Sequence, residues 1–145
     1  MNRLNRRALS RRELGGRLVS IGFDDQTCQR VLDQLTELRV LDDALLGRSL
    51  IEETRRRTPA GTRLLRQKLM RRGLSTSLVE QLLAESDAET DPVAEARQLI
   101  AARLPAMSRL DAAKRNRRLW SLLTRRGFDA DTIETAMATT DEHHA

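Results

Sequence analysis

Apolar residues recur along the chain in one pattern that appears three times: Leu14, Leu18, Gly22, Phe23, Cys28, Val31, Leu32; Leu65, Leu69, Gly73, Leu74, Val79, Leu82, Leu83; and Leu119, Leu123, Gly127, Phe128, Ile133, Ala136, Met137. The second copy lies 51 residues after the first and the third 54 after the second. Two leucines four apart form the buried stripe of a helix. The glycine after them supplies the left-handed residue that closes that helix. Asp24, Ser75 or Asp129 then caps a second helix by accepting its free amide protons. With that cap, Phe23, Leu74 or Phe128 stands just before the helix, and Cys28, Val79 or Ile133 falls one turn inside it, the spacing of a hydrophobic staple. Each copy is therefore expected to be a helical hairpin with a fixed turn.

Third helices are expected in the first two copies. Leu41-Asp42-Asp43 opens one that carries Ala44, Leu45, Leu50 and Ile51 and ends near Thr58-Pro59, since proline disfavours helix in the residue before it. Asp91-Pro92 opens another, Val93 to Leu104, which stops at Pro105. The predicted architecture is all-α with eight helices, three tandem repeats of a three-helix unit with the last truncated, stacked as an elongated curved array. The expected divisions are a basic flexible N-terminus at 1–9 carrying Arg3, Arg6 and Arg7, repeats at 10–57, 58–104 and 105–140, and a polar tail at 141–145. Seven Gly and three Pro in 145 residues agree with helix, and an all-β fold is excluded.

Charge changes the picture next. The net charge is +5, but residues 1–23 carry +5, 24–53 carry −5, 54–74 carry +8, 75–96 carry −6, 97–126 carry +8 and 127–145 carry −5. Every copy thus pairs a basic first helix with an acidic second one. Stacked repeats would gather the basic helices into one stripe and the acidic helices into another. Arg12, Arg63 and Arg117 hold the same place in all three copies, about 160° from the leucine stripe, and so should face solvent. Arg71 and Arg125 match between the last two copies, as do Arg72 and Arg126. With Arg17, Arg66, Lys68 and Arg118 these make up the candidate polyanion-binding set. A solvated face explains one basic helix; three in register call for a polyanion or an acidic partner, because concentrated like charge repels itself. Base stacking on single strands has little support, since the aromatic residues are Trp120, Phe23 and Phe128 and both Phe fall at core positions. Sequence-independent phosphate contact, or docking on an acidic protein surface, is what remains.

Other chemistry is sparse. Asp42 and Asp43 form a paired-carboxylate candidate for a metal-dependent hydrolase, but at a helix start aspartate caps amides and complements the dipole. His143 and His144 lack further ligands, Cys28 stands at a staple position with no activating base, and Gly15-Gly16 lacks the lysine of a phosphate loop. No catalytic residue, cofactor or metal site is expected. No apolar run approaches the ~20 residues that span a bilayer, and the N-terminal MNRLNRRALSRREL lacks a secretion signal's apolar core, so no membrane association and a cytoplasmic location are expected. No heptad zipper offers a dimerisation seam, so a monomer is expected.

Read in order, Ser10-x-x-Glu13-Leu14 with Gly22-Phe23, Leu41-Asp42-Asp43, Gly61-x-x-x-Leu65-Arg66-Gln67-x-Leu69 with Arg72-Gly73-Leu74, and Arg125-Arg126-Gly127-Phe128 resemble the bacterial regulatory protein family RecX. The resemblance spans about residues 8–138. It implies a non-enzymatic protein that binds the RecA recombinase filament on DNA, lodges in its groove and suppresses strand exchange, ATP hydrolysis and coprotease activity, nucleoid-associated when bound. Five positions depart from the family pattern: Arg39 stands where Gly is usual, Leu46-Gly47 replaces an aromatic-Ala pair, Thr62 follows Gly61 where Pro is typical, and Lys68 replaces a usual Glu. The alternatives to that reading are a stand-alone double-stranded DNA-binding protein and, further off, the Asp42/Asp43 hydrolase.

Overall fold

A computed structural model describes residues 8–144, with side chains as far as residue 138. Expectations for Arg3, Arg6 and Arg7 and for the imidazoles of His143 and His144 lie outside the described residues. The described chain is helical throughout: α1 (Arg11–Ile21), α2 (Asp25–Glu37), α3 (Asp43–Arg57), α4 (Thr62–Arg71), α5 (Thr76–Ala88), α6 (Pro92–Arg103), a 3₁₀ turn (Leu104–Met107), α7 (Ala112–Arg125) and α8 (Ala130–His144). The last helix runs on through residues assigned from sequence to the polar tail.

Helix boundaries follow the local chemistry. Ser10 opens α1 with a reciprocal capping box, its hydroxyl accepting the Glu13 N–H at 3.1 Å while the Glu13 carboxylate accepts the Ser10 N–H at 2.8 Å. Asp24 accepts the Thr27 N–H at 2.7 Å, Ser75 that of Leu78 at 3.2 Å and Asp129 that of Thr132 at 2.8 Å. Asp91 accepts from Val93 and Ala94, with Pro92 in the first helical position. Gly22, Gly73 and Gly127 take φ of 112°, 85° and 91°, the left-handed conformation expected of them.

The chain packs as two compact units, Met1–Leu50 with Lys68–Leu82, and Ile51–Gln67 with Leu83–Ala145. In the first, Cys28 and Leu32 of α2 are buried with Leu41, Leu46, Leu69, Leu74, Val79 and Leu82. Gly47 lies so close to Leu82 and Leu74 that a Cβ there would meet Leu82 Cδ1 at 2.4 Å, which accounts for glycine beside the buried Leu46. One core assignment is corrected: Phe23 is 48% exposed, whereas Leu74 and Phe128 at equivalent places are 3% exposed. Leu14 and Leu18 are only half-buried and α1 has no fully buried residue, so the first hairpin closes no pocket around its staple.

In the second unit α6, α7 and α8 pack around Ala96, Leu99, Ile100, Leu119, Leu122, Leu123, Phe128, Ile133, Ala136 and Met137, with Val93, Leu104 and Met107 against the edge. Asp91-Pro92 therefore opens a helix that buries its apolar face on the last hairpin. At the other end of this unit, Arg55 of α3 reaches Ser86 of α5 and lies 4.0 Å from Glu95 of α6, whose carboxyl is pushed upward by burial despite that cation.

Two turns carry consequences. Arg39, in the place where glycine is usual, has φ 59° and donates its N–H to Thr36 at 3.1 Å, while Val40 N–H reaches Leu35 at 2.9 Å. An L side chain there is strained by roughly 1–2 kcal/mol. Arg39→Gly is expected to raise stability by about 0.5–1 kcal/mol in chemical denaturation, the relieved strain less glycine's greater unfolded freedom. The second turn is at Gly61, where a Cβ would lie 2.4 Å from the Gly127 carbonyl carbon, and a Cβ on Gly127 would lie 2.3 Å from Leu64 N. Gly61→Ala and Gly127→Ala should each cost about 1–3 kcal/mol, and the double variant less than their sum because both break one contact. Full additivity would show that the two glycines act separately.

Candidate polyanion-binding surface

The predicted basic set divides into residues with internal partners and residues left to solvent. Arg72 belongs to the first group. Its Nε donates to Glu13 Oε2 at 3.0 Å and its Nη2 to Glu13 Oε1 at 3.0 Å and to the Ala8 carbonyl at 2.6 Å. The Ser10 hydroxyl in turn donates to the Arg72 carbonyl at 2.6 Å. The start of α1 is thereby fixed to the α4–α5 turn, with the Arg12 stem lying against Gly73. Arg126 repeats the arrangement within the other unit. Its Nε and Nη2 donate to the carbonyls of Pro59 and Thr58 at 3.1 and 2.9 Å, and its own carbonyl accepts the Gly61 N–H at 2.8 Å. The Arg63 N–H then donates to the Gly127 carbonyl at 3.1 Å. Ser10 and Gly61 are 51 residues apart and Arg72 and Arg126 are 54 apart, the two offsets of the sequence repeat. The expectation that these two arginines face a ligand is thus revised: at both positions the guanidinium is turned to backbone or carboxylate acceptors of the same chain.

Arg12, Arg17, Arg63, Lys68, Arg71, Arg117, Arg118 and Arg125 are exposed, without a carboxylate partner among the described residues, and Arg66 is half-buried. Three of them converge. The C-terminal end of α6, the 3₁₀ turn and α7 enclose an open groove of about 390 Å³ lined by Arg103, Arg117, Arg118 and Arg125, with Met107, Ser121 and Leu122 between them. No acidic residue lines it. Residues 117, 121 and 125 follow one another at single-turn spacing, so the charges run along α7. The crowding is felt next door: burial first, and then the Arg103 charge, lower the pKa of Arg126. Arg103 was not in the predicted set; it ends α6 in a block of net charge +8, but only the fold turns it towards α7.

A second open groove, about 720 Å³, is lined by Arg63 and Arg66 of α4, Trp120 and Thr124 of α7, the turn Gly127-Phe128-Asp129 with Ala130, Thr132 and Ile133 of α8, and Asp87 and Pro92. The paired carboxylates read otherwise. Asp42 accepts the Leu45 N–H at 3.0 Å as a helix cap, and Asp43 accepts the Arg11 N–H at 2.9 Å. Arg11 also pairs with Asp33 at 2.6 Å. Cys28 is buried, its thiol 3.7 Å from the Phe23 carbonyl. Among the described residues no group of three or more His, Cys, Asp or Glu could hold a metal ion, and no helix is long and apolar enough to cross a membrane.

Fold and surface together define a tandem three-helix-repeat protein with a cationic groove. Comparison with known proteins adds the family. Residues 89–137 match the model of the third three-helix domain of RecX. The chain is 35% identical over 130 residues to the regulatory protein RecX of Prosthecochloris aestuarii, covering 88% of this chain and 82% of the relative. It is 32% identical over 145 residues to that of Corynebacterium efficiens, covering 96% and 69%. The crystal structure of RecX from Lactobacillus salivarius superposes with a TM-score of 0.82 at 19% identity, over 97% of this chain and 90% of that one. The chain belongs to the RecX family of regulatory proteins.

The Glu13–Arg72 pair sets a pH dependence. Hydrogen bonding from Arg72, the largest influence, holds the Glu13 carboxyl below the usual carboxylate range, and the Ser10 N–H adds to it. A lowered carboxylate pKa contributes stability that is complete at neutral pH and is lost as pH falls through the folded value. Glu13→Gln should therefore cost about 1–2 kcal/mol at neutral pH, and the difference from wild type should shrink on acidification below the ordinary carboxylate range. Denaturant midpoints measured against pH check this; a constant difference would show that the pair is not ionic.

Proposed function

We propose that this chain regulates the RecA recombinase by binding its filament on DNA and suppressing strand exchange, ATP hydrolysis and coprotease activity, within homologous recombination and DNA repair in the cytoplasm. The observation that carries the reading is the groove lined by Arg103, Arg117, Arg118 and Arg125 with no acidic residue on its wall. Guanidinium groups held along a rigid helix suit phosphates of a nucleoprotein filament, because they meet oxygen acceptors without sequence discrimination. Arg12, Arg17, Arg63, Arg66, Lys68, Arg71 and the groove arginines form the proposed contact set; Arg72 and Arg126 hold repeats together. The names of the relatives, regulatory proteins rather than enzymes, support a role without catalysis. Three repeats at about 10–57, 58–104 and 105–140, acting as a monomer, complete the proposal.

Filament ATPase and strand-exchange assays test it. Wild type at stoichiometric concentration should suppress both. Reversing Arg103, Arg117 and Arg118 to Glu should raise the half-inhibitory concentration about tenfold or more, since three exposed charge contacts at roughly 0.5 kcal/mol each, with added repulsion, amount to that. Helicity should be unchanged, as all three side chains are exposed. Wild type without effect on the filament would remove the reading. Tight sequence-specific binding to bare duplex would replace it with a stand-alone DNA-binding protein.

A further inference from the structure

We infer that the groove between α4 and α7 is a single-strand nucleotide site, in which Trp120 stacks on a base while Arg63 and Arg66 hold the adjoining phosphates. Trp120 is 39% exposed although its neighbour Leu119 is fully buried, so the indole lies at the core's edge with a face open to the groove. Thr124, one turn further along α7, lines the same wall. Across from them stand Arg63 and Arg66, three apart and so on one face of α4. An aromatic platform beside cations is the combination that binds single strands without reading sequence, since every base offers a π-face and every link a phosphate.

The two carboxylates on the wall remain charged and are each engaged by partners within the chain. Asp87 accepts the Thr62 hydroxyl at 3.0 Å and lies 3.9 Å from Arg55, and Asp129 is held by the Thr132 N–H at 2.8 Å as the cap of α8. The groove is about 720 Å³, ample for a nucleotide, which pockets of roughly 300–1,000 Å³ accommodate. An acidic peptide would use the arginines but leave the indole idle, which favours nucleic acid. The inference deepens the filament reading by naming the DNA strand as what this groove touches, and it is tested first without recombinase.

Trp120 is the single tryptophan and the chain has no tyrosine, so its emission reports this groove alone. Titrating the full chain with oligodeoxythymidylate should change that emission saturably, and the same strand made abasic should change it far less. In anisotropy measurements on a labelled oligonucleotide, Trp120→Ala should weaken binding about 5- to 150-fold, the fold-change of one lost base stack, and Trp120→Phe should recover most of it. Arg63→Ala should lower the log–log salt slope by about 0.7. Circular dichroism confirms that each variant is folded. Emission that ignores the oligonucleotide, or a folded Trp120→Ala that binds it as wild type does, overturns the inference. So does polyglutamate changing the emission as strongly as DNA, which would make the groove a site for acidic protein. A wild type that leaves the RecA filament unaffected ends the filament reading alone, with the oligonucleotide results still deciding this one.

Discussion

The structure depends on a backbone-to-backbone contact between the start of one helix and the glycine turn that closes another. At Gly127 two demands meet in one residue. The turn needs a positive φ, and the start of α4 comes so close that no Cβ can be placed. Glycine alone meets both, and the arginine just before it then reaches past the turn to the chain leading into the helix. Gly73 and Arg72 form the corresponding joint against α1, but there a Cβ on Gly73 would meet the Arg12 side chain rather than backbone, and the α1 capping box supplies Glu13 as the acceptor in place of the bare carbonyls of Thr58 and Pro59. The joint works with different acceptors because a guanidinium has five donors in a fixed fork and accepts whichever oxygens face it.

The same joint sorts the arginines. Arg71 and Arg125 end their helices and Arg72 and Arg126 stand just beyond them at the glycine turn, so the two side chains of each pair leave the chain in different directions. Where the second points to the joint, the first is left to solvent, and Arg71 and Arg125 are exposed for that reason. The double-arginine motif is one residue for assembly and one for the surface. Charge counting along the chain cannot separate them, since both contribute equally to the +8 blocks.

Much of the fold was legible in the sequence because its signals are local. The glycine turns, the Asp24, Ser75, Asp91 and Asp129 caps and the proline stops act within a few residues and appear where spacing put them. What failed was tertiary. Phe23 has the staple spacing of Phe128 yet is half-exposed, because spacing says where a side chain stands and not whether anything covers it. Arg39 shows the converse, a turn formed despite the wrong residue type, since the hydrogen bonds to Thr36 and Leu35 hold an arginine in a glycine conformation. The candidate surface was read only in part: Arg117 and Arg125 were visible by repeat register and Arg118 only as part of a basic block, whereas Arg103 entered through the packing of α6 on α7, and Trp120 had no periodic counterpart to mark it.

Electrostatics gives the last step. Arg103, Arg117, Arg118 and Arg125 share a groove whose lining supplies no carboxylate, and beside it burial first, with the Arg103 charge second, lowers the pKa of Arg126. Elsewhere the chain does neutralise its arginines: Arg11 meets Asp33, Arg56 meets Glu52, and Arg57 meets Glu53. Acidic residues are therefore available, and the acidic helices lie one hairpin away in sequence, yet none lines this groove. Clustered like charge costs folding free energy that packing must offset, and the cost is recovered only when an outside polyanion displaces counterions from the cluster. A surface built that way is stabilised by whatever polyanion it binds, since a ligand that binds the folded state alone adds to its stability.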